Sequence, residues 1–314
     1  MITYYIFACS KCVKKLKMKV KVLLFVILIV ASLGVDAQRW KRYRWEAVYG
    51  IGVSNFLGEL GGADQVGTNY MKDLEMKTTR PSLMVGLRFK HTQQLSSKLT
   101  LTWGMVAGDD ALTTDPVRKA RNLNFRAHIA EVGYNFEFYL RKEKRGHRFK
   151  LRGVRGIKKL GIYPYGFFGI AGFFFNPQGK IAGEWEGLYK LGTEGQKVSP
   201  TRSEYSRFQL AIPIGGGLKW AIDRRWLVGI EYGLRKTFTD YIDDVSTTYY
   251  PGDQLAAAYG PVASLAADPT GGTWVGAQPY QQRGDPTDDD SYMFLLITAH
   301  YKLKTSRAGI PKFK

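Results

Sequence analysis

Residues 45–53 read Trp45-Glu46-Ala47-Val48-Tyr49-Gly50-Ile51-Gly52-Val53. Trp45, Ala47, Tyr49, Ile51 and Val53 share one parity, and Glu46, Val48, Gly50 and Gly52 share the other. Successive side chains of a β-strand point to opposite faces, so this stretch is a strand with a bulky apolar face backed by small residues and one charge. The pattern recurs. Leu83, Val85, Leu87 and Phe89 oppose Met84, Gly86 and Arg88, and Leu99, Leu101, Trp103 and Met105 oppose Thr100, Thr102 and Gly104. Val132, Tyr134, Phe136 and Phe138 oppose Glu131, Gly133, Asn135 and Glu137. Phe208, Leu210, Ile212 and Ile214 oppose Gln209, Ala211, Pro213 and Gly215, and Val228, Ile230, Tyr232 and Leu234 oppose Gly229, Glu231, Gly233 and Arg235. Residues 162–175 are aromatic and glycine-rich on both faces, and 292–303 are apolar with weak alternation.

Eight such segments predict an all-β chain, an eight-stranded antiparallel transmembrane barrel of the outer-membrane type. The links between them alternate in length. Long ones fall at 58–79, 108–124, 175–206 and 239–290, shorter ones at 91–97, 141–159 and 221–225. Bacterial outer-membrane barrels have short periplasmic turns, long outer loops and, with an even strand count, both termini in the periplasm. In a barrel the apolar faces meet lipid and the small faces line a lumen that side chains just fill. Arg88, Glu131, Glu137, Lys219, Glu231 and Arg235 are then expected to form an internal ion-pair network. A soluble sandwich or lipocalin-like barrel would turn the same apolar faces into a core; bulky aromatics near strand ends, as in interfacial girdles, favour the membrane reading.

The start of the chain is expected to be a cleavable signal peptide, residues 1–37. Lys11, Lys14, Lys15, Lys17, Lys19 and Lys21 precede an apolar run from Val22 to Val30, and Val35-Asp36-Ala37 has the small-x-Ala form of a processing site. Met18 is an alternative start. Both cysteines, Cys9 and Cys12, lie ahead of the apolar run, so the mature barrel, residues 38–314, is expected to carry neither a disulfide nor a lipid-anchor cysteine.

Charge separates along the chain, whose formal net charge is +19. Link 141–159 carries Arg141, Lys142, Lys144, Arg145, Arg148, Lys150, Arg152, Arg155, Lys158 and Lys159 against Glu143 alone, whereas 240–290 carries nine Asp against Arg283. An exported barrel does not meet nucleic acid, so the basic link is read either as attracted to anionic headgroups of the outer-membrane lipid or as a docking face for an acidic periplasmic partner. The Gly, Ala, Pro and Asp content of 251–290 favours mobility.

Catalytic groups are scarce. His91, His128, His147 and His300 show no ligand spacing, and no nucleophile, base and carboxylate gather in sequence. Gly215-Gly216-Gly217 is followed by strand residues and not by a helix, so a tight barrel wall explains it better than a phosphate loop. No enzyme activity, cofactor or small-molecule substrate is expected, and no metal. The weak exception is Asp240, Asp243 and Asp244, which could supply Ca²⁺ ligands together with Asp288, Asp289 and Asp290, although solvated loop carboxylates are the simpler reading.

Several segments together resemble the PorG-like outer-membrane proteins of the type IX secretion system of Bacteroidetes. They are Trp45–Gly50 through Ser54-Asn55-Phe56-Leu57-Gly58-Glu59-Leu60-Gly61, Arg80-Pro81-Ser82 with Gly86–Phe89, Asn122–Arg126, Phe136-Glu137-Phe138, Pro164-Tyr165, Phe174–Pro177, Ile212–Gly215 and, most specific, Glu231 to Ser246. The resemblance implies a barrel associated with the periplasmic ring proteins PorK and PorN; the alternative reading is a small OmpA/OmpX-like structural or adhesion barrel acting through its outer loops, and the third an outer-membrane lipid-modifying enzyme at the rim. The resemblance carries no catalytic residues over.

Overall fold

The computed structural model describes residues 42–60, 77–142, 161–223, 225–306 and 309–312. Residues 1–37, the expected signal peptide, lie outside them, as do residues 143–160 of the basic link. Eight long strands follow one another: β1 (Trp45–Leu57), β2 (Arg80–Lys90), β3 (Leu95–Asp109), β4 (Asn124–Tyr139), β5 (Ile162–Ile181), β7 (Phe208–Ala221), β8 (Trp226–Thr237) and β9 (Ser291–Thr305). Each pairs antiparallel with the next, and β9 returns to β1 along Trp45↔Leu303 to Leu57↔Ser291. The sheet is therefore a closed eight-stranded barrel. Closure satisfies the backbone groups of both potential edge strands, which is what a lipid environment demands. Two short pieces lie off the circuit: β6 (Glu184–Gly187) folds back on β5, and β10 (Pro311–Lys312) pairs with β9.

The alternation dictates which face is which. Ile51 is 64% exposed, and Tyr49, Leu83, Val85, Leu99, Leu101, Val132, Ile170, Leu210, Ile214, Ile230 and Ile297 are exposed around the circumference. Water does not favour a continuous apolar belt of this kind, whereas lipid does. Outward-parity aromatic pairs lie near both rims. Trp45 packs on Phe89 and Trp226 on Tyr301 at the end that carries the chain termini, while Phe174 packs on Phe208 at the opposite end.

The lumen is filled in two layers. Toward the terminal end it holds charge. Glu46 bonds Arg88, Lys90 at 2.7 Å and Lys219 at 3.1 Å. Glu137 meets Arg88 at 2.6 Å and Lys98 at 3.2 Å, Lys98 reaches Glu231 at 2.5 Å, and Arg235 reaches Glu131 at 3.1 Å. Three tyrosine hydroxyls donate to the same carboxylates: Tyr139 to Glu137, Tyr165 to Glu231 and Tyr292 to Glu131. The other layer is apolar and includes Phe56, Val106, Phe125, Ile129, Phe173, Phe175, Phe294 and Leu296. The glycine run makes room for the rings that sit beside the charged layer: a Cβ at Gly215 would stand 2.6 Å from Phe167, and one at Gly217 2.6 Å from Tyr165.

One expectation is corrected. Strand β5 does not stop at residue 175 but runs on to Ile181 and turns into β6, because its alternation persists past Asn176 and Gln178 pairs with both Arg126 and Gly187.

Glu46→Ala leaves Arg88, Lys90 and Lys219 without a shared carboxylate in a buried layer, at a cost of roughly 3–5 kcal/mol for an uncompensated charge. The expected outcome is a lower temperature for loss of the compact, heat-modifiable band on gel electrophoresis, with Glu46→Gln intermediate.

Candidate functional site

The end opposite the termini is closed by an ordered cap. The β3–β4 connection forms a short 3-10 turn and helix α1 (Pro116–Arg121), whose first N–H groups are capped by Asp115. The β5–β7 connection adds helix α2 (Leu188–Leu191). The longest connection, 238–290, holds helices α3 (Gly252–Tyr259) and α4 (Pro261–Ala267) and packs Leu255, Ala263 and Ala267 together. Composition favoured mobility for 251–290; the structure shows the segment folded into helices that pack on the barrel mouth. Small residues there do not leave the chain unpartnered; Ile242, Val245 and Ala266 continue the apolar layer of the lumen.

Buried polar groups tie the connections to one another. Arg121 donates to Asp110 at 2.7 Å and to the Arg283 carbonyl at 2.8 Å. Arg283 donates to Glu194 at 3.0 Å, and Glu194 accepts from Ser246 N–H at 2.9 Å and the Thr247 hydroxyl at 2.6 Å. Asp244 accepts from the hydroxyls of Thr193 at 2.5 Å and Tyr205 at 2.6 Å. Asp243 accepts from the N–H groups of Leu60 at 3.1 Å and Val245 at 3.0 Å. These are not solvated loop carboxylates, as their positions in a long polar link suggested: Asp240, Asp243 and Asp244 are all buried.

The rim also gathers three carboxylates from three neighbouring strands. Ser291 of β9 stands opposite Leu57 of β1 on one side and Lys236 of β8 on the other. Residues just beyond those positions therefore converge, and ligand oxygens of Glu59, Asp240 and Asp290 lie within 4.8 Å of one another. Burial pushes the Glu59 carboxyl up to about 8, with the charge of Asp240 adding to it. Burial and the charge of Asp243 likewise push Asp240 up to about 8. Asp243 and Asp290 rise for the same two reasons, burial first and neighbouring carboxylates second. Asp244 rises only to about 6, since burial is offset by Arg283 and by its two hydroxyl donors.

Two of the segments that carry the family resemblance thus meet in space. Leu60, from 54–61, donates to Asp243, from 231–246. Both segments fall inside residues 20–255, which one family model matches. The chain belongs to that family, a domain of unknown function (DUF6089). No curated relative matches the sequence. Among solved structures, this DUF6089 chain is similar to the attachment invasion locus protein Ail of Yersinia pestis, with 9% identity and a TM-score of 0.36 over 83% of this chain and 98% of that one. It is similar to Neisserial surface protein A at 6% identity and a TM-score of 0.35, over 82% of this chain and 96% of that one. It is also similar to the N-terminal β-barrel domain of Pseudomonas aeruginosa OprF at 9% identity and a TM-score of 0.31, over 82% of this chain and 98% of that one. The fold assignment rests on the closed strand order, not on these likenesses.

The other expected site residues are placed as follows. Arg88, Glu131, Glu137, Lys219, Glu231 and Arg235 are all buried in the lumen; Arg88, Glu137, Lys219 and Glu231 are brought together through Glu46 and Lys98, while Arg235 and Glu131 form a pair of their own. Neither Glu46 nor Lys98 was expected as a network member. Glu46 shares the inner parity of its strand and Lys98 that of Thr100 and Thr102, so parity was the signal that could have found them. His300 is also buried, 3.9 Å from Glu46. Of the basic link, Arg141 and Lys142 are exposed beyond the end of β4. Lys144, Arg145, Arg148, Lys150, Arg152, Arg155, Lys158 and Lys159 lie outside the described residues.

Two outcomes are expected for the cap. Arg283→Met strands the buried Glu194 carboxylate at a cost of roughly 3–5 kcal/mol, read as faster hydrogen exchange across 241–249 with the barrel strands unchanged. Asp244 has its carboxyl raised from its usual 3.8 to about 6. Its protonated form therefore favours the folded cap, fully so below the unfolded value, and this contribution is lost as pH rises through about 6. Asp244→Asn is expected to flatten the part of the cap's pH dependence that falls between those two values.

Proposed function

We propose that this chain is an integral outer-membrane β-barrel of the structural and binding class, working at its two ends, with no flow through its lumen and no reaction of its own. The observation that carries this reading is the filled interior. Buried charge at one level and buried rings at the other, with Arg88, Lys98, Lys219, Phe173 and Phe294 among the most enclosed side chains, oppose a transport path. The apolar belt and the aromatic pairs at both rims support a bilayer position. Short connections at the terminal end, residues 91–94 and 222–225, support a periplasmic orientation for that end, with the cap outside.

At the finer level, the basic terminal end docks onto an acidic periplasmic partner. Arg141 and Lys142 begin a run of ten cations ending at Lys159, longer than a strand connection requires. The sequence resemblance to PorG-like proteins supplies the candidate partners, the ring proteins PorK and PorN of the type IX secretion system. A second reading has its own observation: the cap is ordered and carries exposed apolar side chains, Val275 at 78% and Tyr280 at 65%, which suits a small structural or adhesion barrel acting outward.

The two readings separate by experiment. Deleting 141–159 is expected to reduce co-purification with the ring proteins, steeply salt-dependent in the wild type, while the barrel remains heat-modifiable. Unchanged association counts against docking. If Val275→Asp with Tyr280→Ser instead abolishes adhesion of cells that display the barrel and the deletion does not, the outward-acting reading holds. As a check on the bilayer position, Ile51→Arg is expected to cost roughly 2–4 kcal/mol if it lies near the midplane, read as a lower yield of barrel folded into lipid vesicles.

A further inference from the structure

We propose that Glu59, Asp240 and Asp290 form a Ca²⁺ site at the capped rim of the barrel, one that ties together the ends of β1, β8 and β9.

The carboxylates are prepared for a ligand. Asp240 is 6% exposed and Asp290 fully buried, and no donor reaches bonding geometry on Asp240 Oδ1, Asp240 Oδ2, Asp290 Oδ1 or Glu59 Oε2. Ser246 and Glu59 face Asp240 without closing such a bond. Buried oxygens of this kind are rare in a folded protein, because each forfeits its hydration with no return. The remaining oxygens do have partners, and these partners aim the open ones inward. Glu59 Oε1 accepts from Asp285 N–H at 2.9 Å, and Asp290 Oδ2 accepts from Ile242 N–H at 2.8 Å. Gly58 keeps the approach to Asp290 clear, since a Cβ there would lie 2.1 Å from Oδ1.

Nearby cations are engaged elsewhere. Arg121 is paired with Asp110 and Arg283 with Glu194, and among the described residues no Lys or Arg forms an ion pair with Glu59, Asp240 or Asp290. Asp243 and Asp244, considered for the same ion from sequence, are excluded because backbone N–H groups and hydroxyls already occupy their oxygens. The donor set is all oxygen, which selects a hard cation. Ca²⁺ is the better match of the hard cations, because it takes irregular carboxylate sets, whereas Mg²⁺ demands near-ideal octahedral geometry and gives up its water reluctantly. The three donors lie within 4.8 Å of one another, and water would complete the coordination shell.

The test uses the full chain in detergent, stripped with EDTA and dialysed. Isothermal titration with CaCl₂ is expected to show one saturable site per chain. Thermal unfolding is expected to shift upward with Ca²⁺, and protease cleavage within 238–290 to slow. Asp240→Asn with Asp290→Asn removes mutual repulsion, so the EDTA-treated double variant is expected to be at least as stable as the EDTA-treated wild type while losing the Ca²⁺ response. Asp288→Asn with Asp289→Asn is expected to keep it. Absence of saturable Ca²⁺ binding by the wild type overturns the proposal whether or not the variants fold. A Ca²⁺ shift that survives in the Asp240/Asp290 variant overturns the site, and an equal shift with MgCl₂ overturns the choice of ion.

Discussion

The pairing of β9 with β1 is the constraint on which the rest of the structure depends. Thirteen consecutive residue pairs, Trp45↔Leu303 to Leu57↔Ser291, convert a row of strands into a barrel without an edge. Closure gives every inward side chain the same small lumen, so whatever the inner parity carries must be accommodated at van der Waals density. In an eight-stranded barrel that space is just filled by side chains. Glu46, Arg88, Lys98, Glu137, Lys219 and Glu231 are consequently forced into contact, and their charges have to balance there. Buried ion pairs of this sort add little stability over apolar packing. Their consequence here is to occupy the lumen and make the register costly to slip.

The same closure sets the two ends apart. On the terminal side the strands are joined by four-residue connections at 91–94 and 222–225 and by the basic link that begins at Arg141 and Lys142. On the other side, helices, a back-folded hairpin and a long connection cover the mouth and share its apolar layer. Asp110, Glu194 and Asp244 hold these connections in place through Arg121, Arg283, Thr193 and Tyr205. A packed cap at one end and the start of the basic link, Arg141 and Lys142, at the other are two separate surfaces on one barrel, which is why the functional reading falls on the ends.

Much of this was legible in sequence, for a local reason. Period-two alternation is carried within each strand, so Tyr49, Ile51, Leu99, Leu101 and Val132 could be assigned to the outer face without knowing any pairing. Inner charges on clearly alternating strands, Arg88, Glu131, Glu137 and Glu231, could be assigned for the same reason. The rest depended on register. Lys98 lies near the start of its strand, and nothing local says that it reaches Glu231, 133 residues away. Glu59, Asp240 and Asp290 are far apart in the chain, and only the alignment of Leu57, Ser291 and Lys236 brings their neighbours to one point. The packing of the cap was not legible because loop composition reports on hydration and not on what a loop can lie against. Here it lies on the open mouth of a barrel.

The central claim is that the closed barrel is filled and conducts nothing. The direct measurement is the electrical conductance of the purified chain reconstituted in a planar lipid bilayer, at both polarities. A filled lumen predicts a baseline without sustained single-channel steps. Steady ohmic steps from the wild-type barrel would contradict the account.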